Sequence, residues 1–169
     1  EMIDQVTIIN SKLREKVYND FLNKLDKKYS YHNLDHTKRV IKSAIKIGAD
    51  QGLSEGQWKV LLTACLLHDF GFIKSHIDHE ETGADIAESV LPEHGYNQDE
   101  IKLVKSLILV TKAISIPNNK LEAIIRDSDL EYLGSNNFEI ISEKLKEEWI
   151  ACNVVSSEEE FYKLQLDFL

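Results

Sequence analysis

The chain has 169 residues, 43% hydrophobic and 29% charged, the size and balance of one globular domain. Its formal net charge of −9, with Asp and Glu spread along the chain, repels phosphate backbones and argues against long nucleic acid as the main partner. No apolar run approaches the ~18 residues of a membrane span, and no basic stretch leads into an apolar one at the N-terminus, so no membrane partner and a cytoplasmic location are expected.

Cys65 and Cys152 lack CxxC spacing and read as free thiols. Small anionic substrates stay open, because a bound divalent ion reverses the local field.

Nearly every segment repeats with helical period. Residues 4–28 carry Val6, Ile9, Leu13, Val17, Phe21 and Leu25 at three- and four-residue spacing. A second helix is expected from Asn33 or Asp35 to about Gln51, with Gly52 as its stop. Ser54 opens a third as the N-cap of "SEGQ", a capping-box pattern, which runs to His68 or Phe70. Asp78 and Glu81 form a similar start for a helix through Leu91, ended by Pro92. Further helices are expected over 97–112, 118–133, 136–152 and 157–169, with loops at 71–77, 92–96 and 113–117. Period-2 strands are missing. The pattern predicts an all-α single helical-bundle domain over residues 1–169.

Several polar residues fall on the inner faces of these helices. "LLTACLLHDFGF", residues 61–72, ends an apolar helix in His68 and Asp69. Both start near the buried side, where an unpaired carboxylate costs several kcal/mol. A helix C-terminus whose histidine caps carbonyls is the plain alternative. In "LEAIIRDSDLEYLG", residues 121–134, Asp129 falls inside the stripe of Leu121, Ile124, Ile125, Tyr132 and Leu133, whereas Asp127 falls outside it. Taken alone, Asp129 fits a structural salt bridge as well as a metal. His36, in "YHNLDHT", has Val40 and Ala44 at i+4 and i+8 and so also faces inward.

Together His36, His68, Asp69 and Asp129 form a mixed imidazole and carboxylate set on separate helices. That set suits Mn, Mg, Fe, Ni, Co or Zn, and leaves octahedral positions for water or substrate oxygens. Lys112, in "LVTK", is a candidate contact for a substrate phosphate, a solvated lysine at a helix C-terminus being the alternative. Asp35 reads as a first-turn acid, and His76 and His94 as surface residues.

The ordered set, with its "YHNLDH" and "DSDLEYLG" contexts, resembles the HD-domain superfamily of metal-dependent phosphohydrolases. The resemblance covers roughly residues 30–134, and the tail over 136–169 is similar to one bacterial branch. It implies an all-helical scaffold, His36, His68, Asp69 and Asp129 as ligands of a divalent ion, and attack of metal-activated water on a small phosphate ester, commonly a nucleotide or cyclic nucleotide. The "YHN..H" arrangement is similar to that of cyclic-nucleotide phosphodiesterases, which implies His32 as the general acid and His36 as the metal ligand; Asp69, as a metal ligand, is expected also to orient the attacking water. "HEETGAD" resembles the segment that supplies a ligand in two-metal members, pointing to His79, with Glu80 or Glu81 as second-metal or water-orienting groups. The His-His pair of that branch has no counterpart in "SLILVTKA". A non-catalytic HD-fold module that binds a nucleotide or metal and reports to a partner is the alternative from another class.

Overall fold

The computed structural model describes residues 5–168, and every regular element among them is helical. In chain order these are α1 (Ser11–Lys24), α2 (Leu34–Gly48), α3 (Glu55–Leu67), α4 (His79–Val90), α5 (Gln98–Leu109), α6 (Lys120–Asp129), α7 (Phe138–Ala151) and α8 (Glu158–Phe168). One-turn 3-10 helices stand at Gln5–Ile8, Phe70–Ile73, Leu91–His94 and Glu131–Gly134.

Side-chain caps explain most boundaries. Ser54 and Gln57 form the expected capping box, with Gln57 N donating to Ser54 Oγ at 3.1 Å and Ser54 N to Gln57 Oε1 at 2.9 Å. Gly52 takes a left-handed φ of +65° where the chain leaves α2.

The helix expected over 4–28 is divided instead. Asn10 accepts from the backbone of Lys12 and Leu13 at 3.0 and 3.1 Å and starts α1 afresh behind a 3-10 turn; residue 4 lies outside the described residues. Asp78 does not cap α4 with its side chain, as its left-handed backbone, φ 52°, turns the carboxylate away. The expected 118–133 helix stops at Asp129, and Tyr132 and Leu133 follow in a 3-10 turn.

α3 is apolar all round, with Trp58 and Val60 through Leu67 buried. A helix without a polar face belongs in the centre, and α2, α5 and α6 pack around it. α4 lies along α5 and against the Phe70–Ile73 turn. A smaller apolar cluster joins Tyr31 and Tyr132 to Ile141 and Leu145 of α7 and to Val155 and Phe161. Tyr31 sits on the seam, its ring centroid 4.6 Å from that of His36 in the main bundle. His36, His68, Asp69 and Asp129 meet at this seam.

Candidate metal centre and pocket

Local chain geometry aims four side chains at one point. Asn33 caps α2, accepting from His36 N at 3.3 Å, and so fixes His36 on the first, inward-facing turn. α3 ends at His68, and Asp69 follows at φ −107°, ψ 5°, the bridge region between helix and strand. That bend lets two consecutive residues converge. Asp129 closes α6. Gly71 secures the arrangement, because a Cβ there would lie 2.1 Å from the carbonyl oxygen of His79; only glycine lets this turn cross α4 so closely.

The resulting cluster is tight. His36 Nε2 lies 3.2 Å from Asp69 Oδ2 and 3.1 Å from Asp129 Oδ1. His68 Nε2 lies 3.1 and 3.2 Å from the same two oxygens and 3.4 Å from His36 Nε2. These separations match the edges of a coordination shell with bonds of about 2.1 Å. Both histidines are fully buried, whereas the Asp129 side chain is 23% exposed and opens the cluster to a cavity.

The donor chemistry fits a cation. His68 Nδ1 donates to the carbonyl of Cys65 at 2.7 Å, which leaves the Nε2 lone pair of the neutral ring facing inward. Asp69 Oδ2 is buried without a hydrogen-bond partner although two ring nitrogens stand beside it. Lone-pair atoms in mutual contact need a positive charge among them. Without an ion, protons supply it: burial disfavours the charged form of His68, but Asp69 and then Asp129 outweigh it and raise its pKa well above the usual value. His36 is raised in the same way, burial being outweighed by the neighbouring carboxylates of Asp129 and Asp69. Burial pushes the Asp69 carboxyl up, yet the charges of His68 and His32 hold it well below the usual carboxylate range. Among the described residues this is the one group of three or more His, Cys, Asp or Glu side chains assembled for a metal.

A cavity of about 430 Å³ adjoins the cluster. His32 lines it, and its ring is held from two sides. Its ring stacks on Phe72, centroids 4.4 Å apart and planes 11° apart, and its Nδ1 is bonded to Glu148. Glu148, on α7, is itself buried, and its Oε1 accepts from the backbone of Tyr31 at 3.1 Å and His32 at 2.8 Å.

His79 stands next to the cluster: its Nδ1 donates to the His76 carbonyl at 3.2 Å, and its Nε2 lies 3.4 Å from Asp69 Oδ1. Glu80 lines the cavity. Glu81 turns the other way, to an ion pair with Lys112, because α4 runs alongside α5 and the first turn of one faces the end of the other. Lys112 is therefore taken up by Glu81, and the arginine one turn before Asp129, Arg126, lines the cavity instead. His76 also lines it, 3.5 Å from the Tyr29 hydroxyl, rather than standing apart on the surface.

Away from the metal cluster the wall becomes apolar, formed by Leu145, Trp149, Val154, Phe161 and Leu164 of the last two helices and their connection.

Glu148 and Arg126 escaped the sequence pattern in different ways. Glu148 follows Ile141 and Leu145 at helical spacing, the same inward-facing acid signal that marked Asp129. Arg126 carried no comparable signal, since its role depends on where α5 ends.

An all-helical scaffold with two histidines and two aspartates placed to hold a divalent ion defines the class. The family model for the HD domain matches residues 33–129, and the chain belongs to that family. A protein of Clostridium beijerinckii, described only as uncharacterized, is 30% identical over 87 residues, covering 50% of this chain and 55% of its own; the match thus spans about half of that relative. The crystal structure of a predicted HD superfamily hydrolase from an uncultured Thermotogales bacterium superposes with a TM-score of 0.65 at 20% identity, covering 95% of this chain and 90% of that one. At that identity the likeness concerns the fold.

Proposed function

We propose that the protein is a metal-dependent phosphohydrolase that cleaves a small phosphate ester of the nucleotide or cyclic-nucleotide class. The observation that carries this reading is the His36, His68, Asp69 and Asp129 cluster, opening on a cavity in which His32 is held by a buried carboxylate. Membership in the HD family and the fold shared with a predicted hydrolase support hydrolysis in general. The phosphate ester is inferred from the site. A cavity of about 430 Å³ with an aromatic and aliphatic far wall suits an organic group of nucleoside size. A cytoplasmic location goes with this reading, and no helix among the described residues is long and apolar enough to cross a membrane.

The four residues would hold the ion through His36 Nε2, His68 Nε2, Asp69 Oδ2 and Asp129 Oδ1. When bound, a divalent ion supplies a water of lowered pKa and a positive charge against the phosphoryl oxygens. Asp69 Oδ1, turned away from the cluster towards His79, is placed to orient the attacking water. His32 donates the proton to the leaving oxygen. With Nδ1 bound to Glu148, the proton leaves from Nε2, and the stack on Phe72 keeps the ring in plane. Glu148 acts through His32 and is a positioning residue. Glu80 and His79 stand where a second ion or a second water would be held, and a single ion suffices for the chemistry above.

The test is a screen of metal-depleted protein, reloaded in turn with Mn, Mg, Ni and Co, against nucleoside mono-, cyclic and polyphosphates. Turnover with at least one metal, abolished in His36→Ala and Asp129→Ala, is expected. Tight nucleotide binding without turnover under every metal would establish the sensor alternative in its place.

A further inference from the structure

Arg126 is a charged group with no carboxylate to answer it. Its Nη1 donates to the carbonyls of Val110 at 2.8 Å and Lys112 at 2.7 Å, and among the described residues no carboxylate lies within ion-pair distance of it. Lys112 and Arg39, by contrast, are neutralised, the first by Glu81 and the second by Glu131. Arg126 is nevertheless half-buried on the cavity wall.

An arginine placed this way is usually held for an anion. Val110 is the C-cap of α5, where the helix leaves its last acceptors without intrahelical donors, and Lys112 lies in the turn that follows. Both carbonyls take their hydrogen bonds from Nη1 and fix the guanidinium plane, which leaves the Nε and Nη2 edge. The remaining N–H groups are free for a ligand. The position is also set relative to the metal cluster, because Arg126 precedes Asp129 by three residues on α6 and therefore shares its face. Arg126 and the cluster thus start about one helical turn apart, a span that a phosphate bound between them can bridge.

The charge balance favours the same role. Asp69, Glu80, Asp129 and Glu148 all line the cavity, and among the described residues Arg126 is its one Lys or Arg. A divalent ion offsets only part of that negative field, so a phosphate group entering the cavity needs a further cation.

We infer that Arg126 is the phosphate-binding cation of this site, gripping with its free guanidinium edge an oxygen of the phosphate presented to the metal cluster. This inference rests on the phosphohydrolase reading for the identity of the anion. It reassigns to Arg126 the contact that the sequence pattern suggested for Lys112.

The test uses inorganic phosphate and the metal-loaded protein. Phenylglyoxal labels exposed guanidinium groups, and the chain has three arginines, Arg14, Arg39 and Arg126, so peptide mass spectrometry resolves each. Phosphate should slow labelling of Arg126 by about tenfold, as expected for a charge-assisted contact, and leave Arg14 and Arg39 unchanged. Equal labelling of Arg126 with and without phosphate overturns the inference, and this measurement needs no variant to fold.

Titration calorimetry with phosphate then compares Arg126→Gln and Arg126→Lys, each weakened about tenfold or more, the lysine because it lacks the fork. Unchanged affinity in Arg126→Gln, or a loss confined to Lys112→Met, likewise overturns it. Turnover is measured separately. An active wild type whose Arg126 is not protected sinks this inference alone. Protection without turnover on any phosphate ester keeps the anion site and sinks the catalytic reading.

Discussion

Glu148 and His32 lie 116 residues apart in the chain, and one carboxylate holds both the backbone and the ring of the histidine. Its Oε1 accepts from His32 N at 2.8 Å while its Oε2 accepts a hydrogen bond from Nδ1. With Nδ1 engaged, Nε2 is the ring nitrogen left for the cavity that His32 lines. α7, which carries Glu148, is thus part of the site and not merely a cover for the bundle.

Replacing Glu148 by Gln keeps the shape and removes the charge. With a poor leaving group such as a nucleoside alkoxide, kcat should fall about 100-fold, the usual contribution of a general acid. With p-nitrophenyl phosphate, whose leaving group needs no proton, the loss should shrink to a few-fold. Metal content should match the wild type. An equal loss on both substrates would mean that Glu148 supports the fold and not the proton transfer.

His36→Ala and Asp129→Ala should each reduce the bound metal, measured by plasma emission after dialysis, to below about a tenth of the wild-type content, because each removes one of four converging donors. Asp127→Ala should leave the content unchanged, as Asp127 is exposed on the opposite side of α6. Full metal retention in Asp129→Ala would contradict the assignment of the cluster.

Metal-free protein should lose thermal stability as pH rises. His68 has a folded-state pKa raised well above its usual value, and His36 is raised too. A raised histidine contributes stability that is fully present below about pH 6.5 and is lost as pH climbs through the folded value. Asp69 is depressed, so its contribution is present above about pH 4 and is lost only in strong acid. Between pH 6 and 9 the histidines therefore decide the sign, and the melting temperature of the metal-free protein should fall. Added Mn should stabilise more at the alkaline end, since the ion no longer competes with protons. Calorimetry of both forms across this range checks it; a metal-free melting temperature that rises with pH would refute the protonated-cluster description.

Gly71→Ala should destabilise the protein by about 1–3 kcal/mol, the range for forcing extra atoms into a packed site. At this chain length that is a fall in melting temperature of roughly 2–12 °C. The backbone of His79 must retreat to admit the methyl group, which shifts the Asp69 turn against α4, so metal affinity should fall as well. Gly134→Ala, where a Cβ meets nothing within 4 Å, is the matched control.

Much of the site was legible because helical period alone separates inward from outward positions. His36, His68 and Asp129 each fell in register with an apolar stripe, and the structure brings them with Asp69 into one cluster. The same reasoning distinguished Asp127, which is exposed, from Asp129. It also applied to Glu148, in register with Ile141 and Leu145, but an inward acid without a visible partner in sequence gives no role. Lys112 shows the limit from the other side: its position at a helix end suggested a free charge, and the neighbouring helix supplied Glu81 to pair with it.

What the amino-acid order determined by itself is periodic and local: the order of the eight α-helices seen among the described residues, the capping box at Ser54, and the faces on which the clustered His and Asp side chains stand. These follow from spacing along a single helix, where residues three or four apart share a side. The partners were decided only by packing between helices. The length of α5 sets where Val110 and Lys112 present their carbonyls to Arg126, and the seat of α7 brings Glu148 to His32. Such contacts depend on the angle and offset at which separate helices meet, which no spacing within one of them encodes.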